Sequence, residues 1–240
     1  MTAQTRFCRP CSLPLPLVIA TGLLLGWLLL AGPMVGAAHA EGHARKLIRW
    51  SAEVFADLSE GRDARIPRSL LANARCVAVV PNLVKGAFGI GARYGKGILT
   101  CRDDNYEWSQ LAFITMAGPS FGLQIGVQST ELVLFFRREE GVRALLRSNV
   151  MLGGDISVAA GPIGRRASAE VDVRFTSDIL SYASTQGGFV GVALDGGYLG
   201  EDRDTVEAYY GRRYTAEELL FGDLVGIAPA DARRFVALLP

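Results

Sequence analysis

The chain is poor in the residues that catalysis and metal binding draw on. Its 240 residues include only two histidines, His39 and His43, and four cysteines. A zinc site or a histidine-activated nucleophile therefore has almost nothing to be built from. Charge of one sign is also missing: 25 basic against 24 acidic residues leave a formal charge of +1. That balance excludes the broad basic face of a nucleic-acid binder, so any basic recognition surface must be local. Neither G-x-G-x-x-G nor G-x-x-x-x-G-K-[ST] occurs, and no helix follows Gly89-x-Gly91 or Gly95-x-Gly97 to hold a phosphate. Two acidic clusters, Asp103/Asp104/Glu107 and Glu201/Asp202/Asp204, lack EF-hand spacing and read as solvated turns. Gly118-Pro119-Ser120-Phe121-Gly122 matches G-x-S-x-G. A nucleophile elbow needs a strand–turn–helix and a histidine base, whereas the residues after Ser120 read as strand. The expectation is a protein that is not an enzyme and holds no cofactor or metal.

The N-terminus carries an address. Arg6 and Arg9 precede an uncharged apolar run from Leu17 to Ala31, then Gly32-Pro33 and a small-residue tail, Ala38-His39-Ala40. Positive, apolar and small-residue regions in that order make residues 1–40 a secretory signal peptide and residues 41–240 a single mature domain. The alternative is an uncleaved membrane anchor, because Leu17 to Val35 as a helix spans roughly 29 Å. Gly32-Pro33 and the A-x-A tail favour cleavage, and hence a periplasmic or cell-envelope location. The leader takes two arginines and no acid with it, leaving 23 basic and 24 acidic residues. Cys8 and Cys11 leave with it and read as neither redox nor metal motif. In an oxidising compartment Cys76 and Cys101 could pair. If 75–80, 87–94 and 97–102 form a meander, however, the two lie about 15 Å apart, against the limit of about 7 Å for a disulfide. The pairing stays open.

What the chain has in quantity is glycine, 28 residues, most of them between Gly86 and Gly200. They sit among Val, Ile, Phe and Leu without a fixed period, as in bulged or closely approaching strands. CVAVVP, AFGIGARY and GILTCR read as strands up to the turn at Asp103-Asp104-Asn105. WSQLAFITMAG, FGLQIGVQS and TELVLFFRR give three more, split at Gly118-Pro119 and Ser129-Thr130. DISVAAG, ASAEVDVRF, ILSYAST and FVGVALDG follow a short helix near 138–148. Helical signals close the chain: Asp204 before TVEAYYG, the capping box Thr215-x-x-Glu218, and Pro229 opening 229–239. The expected fold class is α+β, a curled or closed antiparallel β-sheet with flanking α-helices.

Residues 43–59 read as an amphipathic helix with a stripe of Leu47, Trp50, Val54 and Leu58, broadened by Ile48 and Phe55. Arg45, Lys46 and Arg49 crowd its first turns, where the helix dipole disfavours cations. Cations flanking a stripe with Trp and Phe are what an interfacial helix requires. On pattern alone, docking of that stripe on the sheet is favoured over docking on a membrane. Trp50, Trp108, Tyr182, Tyr198, Tyr209 and Tyr210 are aromatic candidates for a membrane or ligand surface, with core packing as their default. Arg137-Arg138 and Arg165-Arg166 read as exposed pairs.

From Ile66 to Gly222 the chain resembles the SYLF domain family. Ile66-Pro67, LLANARCVAVVP and KGAFGIGARYGKGIL carry the resemblance, followed by WSQLAFITMAGPSFGLQIGVQSTELVLFF and LGGDISVAAGPIGR. ILSYASTQGGFVGVALDG and YYGRRYTAEELLFG complete the order. The resemblance implies a non-enzymatic module that binds anionic phospholipid, with an N-terminal amphipathic helix in membrane contact. It tips 43–59 toward the interfacial reading, with Arg45, Lys46 and Arg49 on headgroups and Trp50 at the boundary. Lys85, Arg93 and Lys96, in the matching glycine-rich block, are further candidates. Some eukaryotic relatives bind actin, which an exported protein would not meet in its own cell. The alternative partner is another envelope protein.

Overall fold

The computed structural model describes residues 32–60, 66–147, 151–153, 156–160, 177–185, 188–190, 194, 196–222, 224 and 227–240. The apolar run Leu17–Ala31, the alternating ASAEVDVRF and Arg165-Arg166 lie outside the described residues. The chain divides into two units, Met1–His39 and Ala40–Pro240, and every buried hydrophobic side chain among the described residues belongs to the second. Helix α1 (Gly32–Glu60) begins well before residue 43 and continues to the expected end. A short helix α2 (Arg68–Asn73) follows Ile66-Pro67.

Two very long strands, β1 (Cys76–Cys101) and β2 (Ala112–Phe136), replace the six short ones read from the sequence. They pair antiparallel from Cys76 opposite Phe136 to Leu99 opposite Ala112. Glycine and proline bend this ribbon without ending it. Pro81 occupies a register shift between Val80 and Leu83, and a second shift lies between Ala87 and Gly89. A bulge tolerates a proline that a regular ladder would reject.

The bends turn the ribbon back so that the two arms of β1 run along each other. The Arg102 amide donates to the Arg75 carbonyl at 2.7 Å, and Cys76 and Cys101 form a disulfide with their Cα atoms 4.0 Å apart. Further along, Gly97 meets the Val79 carbonyl and Gly95 meets that of Asn82. These pairs run antiparallel, their offset constant to within one residue, and form a seam. A Cβ on Gly95 would lie 2.8 Å from the Asn82 oxygen, and one on Gly97 would lie closer still to that of Val79. Only glycine fits there. The meander that separated the cysteines is thereby corrected: the ends of a ribbon folded on itself meet.

The remaining strands extend both flanks. β7 (Gly197–Glu201) pairs with the start of β2, and β3 (Met151–Leu152) pairs with β7. β5 (Ile179–Thr185) pairs with the end of β2. β4 (Val158–Ala160) and β6 (Gly188–Val190) share the far edge of β5, β4 in parallel, which departs from the all-antiparallel expectation. The result is an α+β fold built on a nearly closed, barrel-like sheet. Helices α3 (Glu139–Arg147), α4 (Arg203–Tyr210), α5 (Ala216–Phe221) and α6 (Ala230–Val236) flank it. Thr215 and Glu218 form the expected capping box. The cap of α4 is Asp202 rather than Asp204: its carboxylate accepts the Thr205 amide at 3.2 Å.

The stripe of α1 is sealed into the core. Ala44, Leu47, Ile48, Val54, Phe55 and Leu58 are all buried, and Phe55 meets the edge of Phe235 at 6.2 Å. Turning that face to lipid would first re-expose large side chains, each worth about 1.5–3 kcal/mol when buried. In this structure the apolar face of the helix is packed into the core, the docking that the pattern alone favoured.

Candidate functional site

With its stripe committed inward, α1 leaves one flank against β1, and a groove of about 290 Å³ runs between them. His43, Lys46, Leu47 and Trp50 form the helical wall, and Pro81, Asn82, Val84, Tyr94, Gly95 and Lys96 form the strand wall. Trp50 is 37% exposed although it falls on the expected stripe, and Tyr94 is 52% exposed. Tyr94 and Lys96 alternate along β1 and so present to the same side of the pleat.

The seven residues expected to bind lipid separate into three groups. Lys46, Trp50 and Lys96 meet in the groove. Arg45 and Arg49 stand exposed on α1 outside its lining, and Arg45 is tied to Glu41 at 2.8 Å. That hydrogen bond, aided by the charge of Asp231, raises the already high pKa of Arg45. Among the described residues no carboxylate pairs with Lys46 or Arg49. Lys85 and Arg93 are half-buried in the ribbon and already engaged within the protein. Lys96 lines the groove but its ammonium is committed, 2.6 Å from Asp202 and 3.3 Å from the Thr205 hydroxyl. Burial pushes the Asp202 carboxyl upward, yet hydrogen bonds from Lys96 and Thr205 outweigh it and hold the group below the usual carboxylate range. Lys96 thus fastens the N-terminus of α4 to β1.

Sequence reasoning missed His43, Val84 and Tyr94. The period-two alternation of Tyr94 with Lys96 was the available signal, but it required knowing that α1 lies along this side of β1. Of the aromatic candidates, Tyr182 and Tyr209 are core residues, and burial raises both phenol pKa values strongly. Tyr210 donates to the Leu111 carbonyl at 2.9 Å, and Trp108 stacks under Arg102 at 4.4 Å. Trp50 and Tyr198 are the two that reach the surface.

Among the described residues the groove offers cations and aromatic surface. Ser120 is buried within β2 opposite Gly91, away from any strand-to-helix turn, and both histidines belong to α1. Among the described residues no three His, Cys, Asp or Glu side chains gather as metal ligands. The acidic clusters have structural work instead. Asp103 accepts the amides of Asn105 and Glu107 at 2.9 and 2.8 Å, and Glu201 accepts that of Ala216 at 3.1 Å. No helix among the described residues is long and apolar enough to cross a membrane.

Comparison with known proteins finds relatives of one family. Residues 117–240 match the family model Ysc84, described as "Las17-binding protein actin regulator". The chain is 34% identical over 181 residues, 75% of its length, to SH3 domain-containing YSC84-like protein 1 of Xenopus laevis, covering 53% of that protein. To the human protein of the same name it is 32% identical over 78% of the chain and 54% of the relative. Protein YSC84 of Saccharomyces cerevisiae is 33% identical over 71% of the chain and 36% of its own length. The chain thus spans about half the length of the vertebrate relatives it matches.

Proposed function

Because this chain belongs to the Ysc84 family, the SYLF-domain family its sequence blocks resemble, we propose that it is a non-enzymatic module that docks on anionic phospholipid at an envelope membrane. The observation that carries the reading is the groove itself, where Lys46 stands beside Trp50 and Tyr94 with no carboxylate among the described residues to neutralise it. Arg49 adds a second cation on the same helix. Indole and phenol rings favour the headgroup layer, and each cation near an anionic surface contributes roughly 1 kcal/mol.

Export of the domain is part of the proposal. The boundary between the two units falls one residue from the proposed cleavage after Ala40, and the first described side chain buried in the core, Ala44, lies beyond it. The disulfide between Cys76 and Cys101 suits an oxidising compartment.

Vesicle sedimentation tests the reading. The protein should pellet with phosphatidylglycerol vesicles, not with phosphatidylcholine vesicles, and binding should weaken as salt rises. Lys46→Ala with Arg49→Ala should lower the partition coefficient about thirtyfold, the equivalent of ~2 kcal/mol. Equal binding to both vesicle types would remove the electrostatic basis of the proposal. A second reading, capture of another envelope protein, draws on the family's description as a binding protein. It would be favoured by a crosslinked partner from cells together with no vesicle binding.

A further inference from the structure

Several of the large apolar side chains exposed among the described residues can be placed beside one another from the groove lining and the strand register. Trp50, Val84 and Tyr94 line the groove. Val127 faces Gly86 across the ribbon, and Ser129 faces Val84, so Val127 shares the side of Val84 and is 81% exposed. In the other direction the strand register makes a row: Tyr94 opposite Ala117, Ala117 opposite Tyr198, and Tyr198 opposite Met151. Residues directly opposite in a ladder share a face, so this row crosses β1, β2, β7 and β3 on the side that bears the groove. Tyr198 is 41% exposed and Met151 38%.

We propose that the sheet face Tyr94–Ala117–Tyr198–Met151 is a second membrane contact, continuous with the groove, so that the protein lies with this face on the bilayer and α1 at its edge. The contact rests on the lipid-docking function already proposed and assigns its apolar part to the sheet. Three features select a lipid surface as the occupant. The row carries no charged side chain, and Asp202, two residues beyond Gly200 on β7's path, is already neutralised by Lys96. Its rings are tyrosines, which place a phenol at headgroup level and the ring body below it. The cation Lys46 lies in the groove at the Tyr94 end of the row, where headgroups would sit when the rings are submerged, and Arg49 follows on the same helix. An exposed patch of this kind, rimmed by cations, is the mark of a membrane-facing surface.

Photo-crosslinking tests the assignment. Vesicles of phosphatidylglycerol bearing a diazirine on the acyl chain are illuminated with the bound protein, and adducts are mapped by mass spectrometry. Adducts are expected on the peptides carrying Tyr94, Met151 and Tyr198, and not on Tyr106, which is exposed elsewhere. Tyr94→Ser with Tyr198→Ser should weaken sedimentation about tenfold, the equivalent of ~1.4 kcal/mol, while leaving the salt dependence unchanged. If the protein sediments but adducts fall only on α1, the sheet face is not in contact and this inference fails while the lipid reading stands. If the protein sediments with no anionic vesicle, the lipid reading itself fails. Concentration-dependent dimers, abolished by the double tyrosine substitution, would make a second copy the occupant and overturn the inference.

Discussion

One strand supplies both the most enclosed and the most exposed parts of the molecule. At its two ends β1 is clasped to itself: Cys76 through Val80 and Ile98 through Cys101 are almost wholly inaccessible. Near its middle the same strand presents Val84 and Tyr94 to solvent. Both regions carry large apolar side chains. The difference is what covers them. At the ends the opposite arm closes over the strand, whereas the middle has the groove on one side. Apolar residues at the seam are explained by stability. Those at the middle are not, and the docking proposal rests on them.

This contrast breaks most sharply at Gly97. A Cβ there would overlap the Val79 carbonyl, so Gly97→Val must either force the arms of β1 apart or displace a main-chain atom. The expected cost is at or above the ~3 kcal/mol upper end of ordinary overpacking, read as a large loss in the urea midpoint or as failure to accumulate folded protein. A valine at Gly86, where an added Cβ meets nothing, should be far milder. Equal damage at both positions would dissolve the distinction. Opening the disulfide by Cys76→Ser with Cys101→Ser comes next. It releases a loop with a sequence separation of 25 residues and should cost about 3.5 kcal/mol, or roughly 7–14 °C in Tm. An unchanged Tm would show that the seam holds without its clasp.

The sequence disclosed local chemistry better than path. The capping box at Thr215 and Glu218, helix α3 and strand β5 lie where their residues place them, because each is decided by neighbours a few positions apart. Pro81 and Pro119 were misread as strand ends. A proline's cost depends on whether its position in the ladder needs an amide, which only the fold decides. The disulfide was illegible for the same reason: its geometry is set by a ribbon that doubles back, and no local pattern records that. Of the site, Lys46 and Trp50 were legible as basic and aromatic residues on a helix. The commitment of Lys96 to Asp202 was not, since its partner lies 106 positions away. Tyr94 was missed because a strand tyrosine is core by default, and only the placement of α1 leaves it open.

Smaller effects sharpen the comparison where the two regions join. Asp202 is an N-cap and the partner of Lys96, and its carboxyl is held below the ordinary value of about 3.9. A carboxyl depressed in the folded state contributes stability that is fully present above its unfolded pKa. That contribution is lost as pH falls through the lower folded value. The protein should therefore lose stability progressively below about pH 4. Asp202→Asn, less stable at neutral pH, should show a shallower acid slope. Parallel slopes in chemical denaturation would mean that Lys96 does not hold α4 electrostatically.

The smallest expected effect on stability is also the most discriminating. Tyr94 is more than half exposed and makes no hydrogen bond among the described residues. Tyr94→Ser should move the stability by no more than about 0.5 kcal/mol, as surface substitutions generally do. A core tyrosine such as Tyr209, which donates to Asp231 at 2.7 Å and packs edge-on to Phe113, should cost several times more when similarly truncated. If Tyr94→Ser is neutral for folding yet measurably weakens vesicle binding, an exposed ring has been retained at the groove for a reason outside the fold. If it destabilises as Tyr209→Ser does, the middle of β1 is core like its ends, and the groove loses its claim to be a docking surface.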